Sequence, residues 1–378
     1  MDLSLYLHVP FCLRKCPYCD FVSYPGRGPE ETAAYVAGLA RELELWARRL
    51  NPAPEITTVY VGGGTPSLLP VSLWRQLGAA LRCCFRLSPR VEFSVEANPG
   101  TLTPELLETL REIGVNRLSL GVQSFDPRFL RLAGRPYHRE DILRSAAEAR
   151  RAGFDNLNLD LIFGFPGQSP DDWRQDLEAA LELAPTHLSC YELQLDPQTP
   201  WGRAAAEGEL VLPEEEERAA MYEYAEERLE KAGFEQYELS NFALPGHACR
   251  HNLAYWLRRP YLGVGAAAAS FMEERRWINL PALEEYLERV NSGRLPVAEQ
   301  EELEPEAAMA ETMMLGLRLT RGVEAGAFRR RFGREVTEVF GPRLKYLGRL
   351  GLIEEGAGYY RLTPRGRLLG NLVFREFV

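Results

Sequence analysis

Three cysteines near the amino terminus have a spacing that suits metal binding. Cys12, Cys16 and Cys19 form a C-x3-C-x2-C pattern. Thiolates are soft ligands that select zinc, copper(I) or iron–sulfur clusters, and an ordinary [4Fe–4S] cluster uses four cysteines. A loop with only three leaves one iron without a protein ligand, and such an open position distinguishes a reactive metal site from a structural one. The pattern alone leaves a cluster and a structural zinc site as alternatives.

The surroundings of the three thiols favour the cluster. An apolar run typical of a strand, residues 3–8, leads directly into the loop. No fourth cysteine or ligand-like histidine follows at the usual spacing, and Tyr18 places an aromatic face directly before the last thiol. The loop is therefore expected to hold an iron–sulfur cluster at the end of a strand.

Strands and helices are predicted to alternate over residues 1–235. Apolar and β-branched runs predict six strands, with amphipathic or capped helices between them. This alternation indicates an α/β fold with a parallel sheet and right-handed crossovers, either open and doubly wound or an incomplete (β/α) barrel. The predicted strands are 3–8, 57–61, 92–96, 116–121, 156–162 and 186–195, and the predicted helices are 30–50, 71–81, 139–152 and 213–232, with two more starting near 103 and 169.

Several polar residues and glycines fall at or near the ends of these strands. In a barrel, the carboxyl-end rim gathers the residues that do chemistry. Each position is a weak signal alone, because most Gly-rich turns are only turns and a carboxylate often caps the next helix. The segment 62–66 also lacks the Gly-Lys-Ser/Thr ending of a nucleotide P-loop. The rim residues are Gly63, Gly64, Thr65, Glu96, Gln123 and Asp160.

The cysteine loop also resembles a known signature. Residues 5–21, LYLHVPFCLRKCPYCDF, are similar to the cluster-binding segment of the radical S-adenosylmethionine (SAM) superfamily. More narrowly, they resemble the branch that holds oxygen-independent coproporphyrinogen III oxidases and the heme chaperone HemW family. The resemblance implies a [4Fe–4S] cluster on the three cysteines, with SAM chelating the open iron and open to cleavage to a 5′-deoxyadenosyl radical. It also implies a six-stranded partial (β/α)6 TIM-type barrel.

The resemblance extends to residues that would hold SAM. It implies that Gly63, Gly64 and Thr65 lie against the methionine part of SAM. Several matches at the correct spacing are more specific than any one of them, and no catalytic residue is predicted. Further family cofactor positions are matched by Tyr6, Glu96, Gln123, Arg135 and Asp160, and Tyr18 is expected beside the cofactors.

Two features distinguish the chaperone branch from the oxidase branch. The oxidase has an additional cysteine two residues after the third thiol, where this chain has Phe21. The oxidase also has a long extension before its cluster loop, whereas the first thiol here is already residue 12. Both features favour the heme chaperone branch.

A second motif, H-N-x-x-Y-W, begins at His251 and is associated with heme in the chaperone branch. An imidazole can ligate heme iron, and Tyr255 and Trp256 offer large flat faces. Asn252 would orient the imidazole, and Cys249 is an alternative axial ligand. From the residues alone, a loop histidine packed under an aromatic pair is the competing interpretation.

The chain departs from the chaperone pattern soon after this motif. Relatives usually have Gly-x-Gly-Cys/Ala-Gly-Ala-His, whereas this chain has Ala267 in place of the last glycine and Ala269 in place of the histidine. Either heme binding relies wholly on His251, or this member has weakened or altered binding.

These observations lead to a leading hypothesis and an alternative. The chain is predicted to bind the cluster, SAM and heme, and to pass heme to an acceptor such as a respiratory, membrane-associated hemoprotein, with an unnamed electron donor for the cluster. The alternative is an oxidoreductase that oxidatively decarboxylates coproporphyrinogen III. Whether the protein is an enzyme is left open.

Composition limits the remaining classes. The net charge of −10 over 378 residues disfavours wholesale nucleic-acid binding. Seven cysteines, an odd number, without a basic-then-apolar leader predict a reducing cytoplasm. No stretch of 18 consecutive apolar residues predicts a membrane span.

The carboxy-terminal part is expected to be a separate module. Residues 299–306 are predicted to be a linker, and three helices followed by a hairpin at 352–362 resemble a winged helix. Residues 321–378 carry 12 Arg or Lys against 6 Glu, so a nucleic-acid-binding redox regulator is a minor alternative. The predicted division is 1–235 for the barrel, 236–300 for a connecting region, and 301–378 for a smaller α+β domain.

Overall fold

Six predicted strands form the parallel centre of one large sheet. The computed structural model describes residues 2–50 and 52–377. In chain order its strands are β1 (Asp2–Val9), β2 (Phe11–Cys12), β3 (Tyr24–Pro25), β4 (Glu55–Gly63), β5 (Arg86–Ala97), β6 (Arg117–Gln123), β7 (Asn156–Phe163), β8 (His187–Glu192), β9 (Glu235–Glu238), β10 (Asn241–Ala243), β11 (Tyr261–Val264), β12 (Ala269–Met272), β13 (Arg275–Asn279), β14 (Val297–Glu302), β15 (Val323–Glu324), β16 (Ile353–Gly356) and β17 (Tyr359–Leu362).

Helices separate the central strands, as predicted. A short 3₁₀ helix also follows β4 at Pro66–Leu68. The α-helices are α1 (Pro29–Arg49), α2 (Val71–Cys84), α3 (Pro104–Glu112), α4 (Pro127–Leu132), α5 (Arg139–Arg151), α6 (Pro170–Glu182), α7 (Pro200–Ala206), α8 (Glu215–Lys231), α9 (Arg250–Trp256), α10 (Leu283–Asn291), α11 (Pro305–Gly316), α12 (Ala325–Phe332), α13 (Val336–Arg349), α14 (Pro364–Leu368) and α15 (Gly370–Arg375).

The sheet has twelve strands in the order β14-β13-β12-β11-β1-β4-β5-β6-β7-β8-β10-β9. The strands from β1 to β8 in this order pair in parallel, which confirms the βα alternation. β11 adds another parallel strand beside β1. Beyond β11 at one end of the sheet and beyond β8 at the other, the strands pair in an antiparallel manner. The sheet ends at β14 and β9, so it stays open, as expected for a partial barrel.

Local sequence explains the central elements. The apolar side chains of β1 at alternate positions, Leu3, Leu5 and Leu7, point to one face of the sheet and are fully buried. The predicted helix starts are also confirmed: the Thr103 hydroxyl accepts the N–H of Leu106 at 3.2 Å. Such a side-chain cap contributes about 1 kcal/mol to a helix.

The connecting region is built into the sheet through a buried carboxyl group on α1. Glu42 accepts hydrogen bonds from the N–H of Gly265 at 2.8 Å, from the amide of Asn279 at 2.7 Å and from the hydroxyl of Tyr286 at 2.7 Å. Burial raises the pKa of Glu42 to about 7. The division of the chain at residues 235 and 300 stays a prediction.

One predicted element is wrong. Residues 299–306 are not a linker, because the first four belong to β14, whose antiparallel partner is β13, and the last two begin α11. The run of glutamates resembled a solvated connection, and most of these residues are indeed exposed. An edge strand needs no apolar face when its outer side meets water.

The carboxy-terminal helices and hairpin form their own small core. Helices α11, α12 and α13 precede a three-stranded sheet of β15, β17 and β16, which agrees with the predicted winged-helix-like module. Its core includes Met313, Phe328, Phe340, Leu347 and Val373, a cluster distinct from the barrel core.

Candidate cofactor site

A cavity of about 850 Å³ opens where the central parallel strands end. Its volume lies in the range of small-molecule and cofactor sites. Tyr6 and His251 are not among the described residues that line it. The predicted site residues that do line it are Cys12, Cys16, Tyr18, Cys19, Gly63, Gly64, Thr65, Glu96, Gln123, Arg135 and Asp160.

The three thiols lie on a loop that is held to the barrel at both ends. The short strands β2 and β3 pair across its base, and the ring Nε2 of His8 lies 3.0 Å from the carbonyl oxygen of Val22. Cys16 is buried, whereas Cys12 and Cys19 are half-buried, and all three are free cysteines. The loop thus presents its sulfur atoms to the cavity from a fixed position.

The glycine-rich turn after β4 packs closely against this loop. The N–H of Gly64 donates to the carbonyl of Val9 at 2.9 Å, and the N–H of Thr65 donates to the carbonyl of Phe11 at 2.7 Å. A Cβ at Gly64 would lie 2.6 Å from that Phe11 oxygen. Any larger residue would push the two segments apart, so the glycine is required by close backbone approach.

Two half-buried carboxyl groups give the cavity an acidic wall. Glu96 accepts hydrogen bonds from the hydroxyl of Tyr60 at 2.8 Å and the N–H of Gly63 at 3.1 Å. Asp160 accepts one from the hydroxyl of Ser119 at 2.8 Å. Burial, with a smaller contribution from Asp160, raises the pKa of Glu96 to about 7, and burial also raises the pKa of Asp160. A cationic ligand in the cavity would favour their ionised forms.

One guanidinium links the cysteine loop to the strand ends. Arg135 lies 3.1 Å from the sulfur of Cys16 and donates to the amide oxygen of Asn98 at 2.8 Å and to the hydroxyl of Tyr137 at 2.7 Å. Asn98 in turn donates to the hydroxyl of Thr65 at 2.9 Å. The guanidinium thus places a positive charge beside one of the three thiols.

Two members of this network, Asn98 and Tyr137, are not among the residues predicted from the sequence. Asn98 follows Glu96 by two residues at the end of the same strand, so its rim position was a usable signal. Tyr137 lies in the segment before α5, and no spacing or motif in the sequence marks it.

Gln123 ends β6 in a left-handed backbone conformation, with a φ of 67°. Such a conformation is uncommon for a residue other than glycine and needs support from its surroundings. Asp176 on α6 supplies it: its carboxylate accepts the N–H of Phe125 and the hydroxyl of Ser124, both at 2.6 Å. The turn that presents Gln123 to the cavity is therefore held from outside the sheet.

The two predicted tyrosines occupy different places. Tyr18 lines the cavity, with its ring centroid 5.6 Å from that of Trp201. The hydroxyl of Tyr6 lies 2.9 Å from Nδ1 of His8, and its ring stacks on that of Tyr60 at 6.3 Å. Tyr6 thus supports the wall from behind and does not line the cavity.

His251 lies on α9, behind the cavity-lining Tyr60, and exposes 1% of its surface. Its Nδ1 lies 2.8 Å from the hydroxyl of Thr58, and its Nε2 lies 2.9 Å from the hydroxyl of Tyr255. These two residues orient the imidazole, rather than Asn252 as predicted. The ring stacks on Tyr60 at 5.2 Å, and burial lowers the pKa of His251 to about 3. In this arrangement both ring nitrogens already have partners.

The alternative heme ligand, Cys249, is also enclosed. It is fully buried, its sulfur lies 3.5 Å from the carboxylate of Glu92, and burial raises its pKa to about 12. Ala267, at the position where relatives have glycine, adopts a φ of 58°. A left-handed turn of this kind suits the glycine that the family resemblance led us to expect, and alanine adopts it only with strain.

The residues around the cavity fit an iron–sulfur cluster and SAM. Three free thiols on one side supply soft ligands, a glycine turn admits a ligand close to the backbone, and Glu96 and Asp160 complement a cation. In the described ranges, no three His, Cys, Asp or Glu side chains converge as ligands of one ion would.

The basic carboxy-terminal region carries paired arginines. These pairs bring glutamates onto the same surface, which weakens its basic character and the interpretation as a nucleic-acid-binding module. The pairs are Arg329–Glu335, Arg330–Glu324, Arg331–Glu274, Arg361–Glu354 and Arg367–Glu226. Separately, within the described residues, no helix combines the length and apolar character needed to cross a membrane.

Comparisons with known proteins agree with this geometry. The sequence profile of the radical SAM superfamily matches residues 6–180, and that of the HemN C-terminal domain matches residues 303–369. The heme chaperone HemW of Bacillus subtilis is 37% identical over 376 residues, which cover 99% of each chain. That of Mycobacterium tuberculosis is 39% identical over 377 residues, 99% of this chain and 94% of the relative.

A solved structure matches the whole fold. Coproporphyrinogen III oxidase (HemN) from Escherichia coli, described as a radical SAM enzyme, superposes with a TM-score of 0.85 at 25% identity. The match covers 100% of this chain and 90% of that one. The fold therefore includes both the partial barrel and the carboxy-terminal module.

Proposed function

This chain belongs to the heme chaperone HemW family of the radical SAM superfamily, and on that premise we propose that it is a heme chaperone that binds a [4Fe–4S] cluster and SAM and delivers heme to an acceptor hemoprotein. The observation that carries the proposal is the meeting of three cysteines with the rim residues in one cavity. Full-length similarity to proteins named heme chaperone HemW supports heme as the cargo.

In this proposal Cys12, Cys16 and Cys19 hold the cluster. When bound, the cluster would supply electron-transfer chemistry and an iron to which SAM could bind. Arg135, which lies 3.1 Å from the sulfur of Cys16, places a positive charge beside that ligand. The bonds from the glycine turn to the loop keep the three thiols at the mouth of the cavity.

The rim residues hold SAM. Gly63 and Gly64 let its methionine part approach the backbone, and Glu96 with Asp160 attracts its positive charge. Gln123 completes the wall from the end of β6, and Tyr18 covers the side next to the cysteine loop.

Ligation of heme by His251 stays a prediction, and it has a physical condition. The imidazole would have to exchange its bonds to Thr58 and Tyr255 for heme iron, and α9 would have to open. Neutral imidazole is the form that binds iron, and the lowered pKa of His251 keeps the ring neutral.

Oxidation of coproporphyrinogen III is the second candidate function. The observation that favours it is the TM-score of 0.85 to the oxidase from Escherichia coli. Against it, Phe21 stands where the oxidase has its additional cysteine. The sequence identity of 25% to that oxidase is also lower than the 34–39% to the chaperones.

The deciding experiment has two arms under anaerobic, reducing conditions. Reconstituted protein is first titrated with heme and followed by the Soret band, and heme transfer to an apo-hemoprotein is then measured. A parallel sample receives coproporphyrinogen III with SAM. Stoichiometric heme binding without protoporphyrinogen formation is expected, and turnover of coproporphyrinogen would replace the chaperone with the oxidase.

A further inference from the structure

Two large apolar side chains of the cysteine loop extend into solvent at the mouth of the cavity. Leu13 exposes 63% of its surface and Phe21 exposes 62%, and both line the cavity. Within the described part of the chain, Val211, at 70%, is the one large apolar side chain that is more exposed. Large apolar groups placed together at the edge of a cavity mark a surface that contacts a ligand or partner.

The predicted cofactors do not account for these two side chains. The cluster needs the sulfur atoms of the loop, and SAM needs the strand-end residues deeper in the cavity. The cavity lining also includes the exposed Tyr191 at the end of β8 and the half-buried Leu195 in the segment after it. The cysteine loop and the end of β8 therefore both contribute apolar surface to the lining.

Cations stand beside this apolar surface. Arg14 and Lys15 are exposed and lie between the first two thiols. The ammonium of Lys15 donates to the carbonyl of Phe21 at 3.1 Å, so it stays at the rim next to that ring. Arg14 forms no ion pair with any described residue within 4.0 Å, and Asp20 is the one acid in residues 13–21. The loop is thus locally positive on a chain of net charge −10.

We propose that heme docks at this mouth, with its macrocycle against Leu13 and Phe21 and its propionates paired with Arg14 and Lys15. The inference rests on the proposed function, because that function makes heme the cargo. Heme is a flat apolar ring with two carboxylates on one edge. It matches the apolar platform formed by Leu13 and Phe21, which has the cations Arg14 and Lys15 at its side. A protein electron donor is the competing occupant, and the experiment below separates the two.

This location differs from α9. His251 is enclosed and doubly hydrogen-bonded, whereas Leu13 and Phe21 are already exposed. Heme at the mouth is also placed for direct transfer to an acceptor, because its outer face remains open to solvent. The platform therefore accounts for capture and release without the unfolding of α9.

The first arm of the test replaces the platform. Leu13→Ala/Phe21→Ala is reconstituted anaerobically and titrated with heme, and iron content and SAM affinity are measured on the same sample. We expect heme affinity to fall about tenfold or more, since two large apolar contacts are removed. Iron content and SAM affinity are expected to stay at the wild-type level. Val211→Ala is the matched control, because it truncates an equally exposed side chain that does not line the cavity.

The second arm tests the charges without altering the platform. Arg14→Gln should weaken binding of heme but leave binding of heme dimethyl ester unchanged, because the ester lacks free carboxylates. An equal loss for both ligands would overturn the assignment of Arg14 to the propionates.

The outcomes distinguish the inference from the proposed function. If wild-type protein binds no heme, the chaperone function itself fails. If heme binds equally to wild type and to Leu13→Ala/Phe21→Ala, while His251→Ala abolishes binding, the docking site at the mouth is wrong and α9 holds the heme. A slower reduction of the cluster by a donor protein, with unchanged heme affinity, would assign the platform to electron transfer and overturn the inference.

Discussion

The cavity at the strand ends and the enclosed polar cluster on α9 both contain buried ionisable groups, yet they differ in what surrounds them. Glu96 borders open space, and burial raises its pKa to about 7. His251 is packed between Thr58, Tyr255 and Tyr60, and burial lowers its pKa to about 3. A perturbed pKa marks a site candidate only when a ligand can reach the group. The comparison therefore separates a region built to receive a ligand from one whose polar groups satisfy each other.

The largest effect is expected from removing a thiol at the cavity. Cys19→Ser should lose nearly all of the reconstituted cluster, because a [4Fe–4S] cluster with two protein thiolates lacks a required ligand. Iron and sulfide content and the electron paramagnetic resonance spectrum of the reduced protein measure this loss. Cys83→Ser is the control, since Cys83 is exposed on α2. Full cluster content in the Cys19 variant would remove that residue from the ligand set.

The next-largest effect is expected on stability, and it tests whether the enclosed polar cluster around His251 on α9 has a structural role. His251→Ala should lower the free energy of unfolding by about 2–4 kcal/mol, because it leaves a cavity and takes one partner each from Thr58 and Tyr255. Urea denaturation measures the change. His247→Ala, a less buried histidine on the same segment, should change stability by less than about 0.5 kcal/mol. Equal stabilities of the two variants would mean that the His251 contacts contribute nothing.

A smaller effect, on affinity, comes from titration of the cavity wall. Burial raises the pKa of Glu96 from 4.5 to about 7, so the folded protein holds this proton more tightly than the unfolded chain. Its contribution to stability without ligand is present below pH 4.5 and is lost as the pH rises through about 7. Binding of the SAM cation should show the opposite trend, with affinity rising by up to about tenfold from pH 6 to pH 8. Calorimetric titration across this range measures the trend, and Glu96→Gln should abolish it. A variant that kept the full pH dependence would assign it to another group.

The smallest effect concerns the turn between β11 and β12. Ala267→Gly should stabilise the protein by about 0.5–1 kcal/mol, because glycine adopts the φ of 58° without strain. Thermal denaturation measures the shift. Ala266→Gly is the control and should destabilise, since Ala266 is fully buried and is not among the left-handed residues. Destabilisation by the Ala267 change would mean that its methyl group contributes more by packing than its backbone costs.

Much of the fold was predictable because local patterns and tertiary structure agree in the barrel. The six strands and the helices between them follow from apolar runs and caps such as Thr103. The prediction of a linker at 299–306 was wrong, because an exposed edge strand has the composition of a linker. β11 was also missed: its short run, ending in small residues, becomes a strand only because β1 offers it an edge.

The sequence by itself determined the chemistry that this protein carries. The spacing of the three thiols, the glycine turn and the acidic strand ends follow from side-chain type and position along the chain, and these are local properties. The tertiary structure alone decided which of these residues share a space. In the tertiary structure Asn98 and Tyr137 contact Arg135 at the site. His251 is buried in a closed cluster, and Leu13 and Phe21 are exposed at the mouth. The physical reason is that burial and hydrogen-bond partners depend on contacts between residues far apart in the chain, which no local pattern encodes.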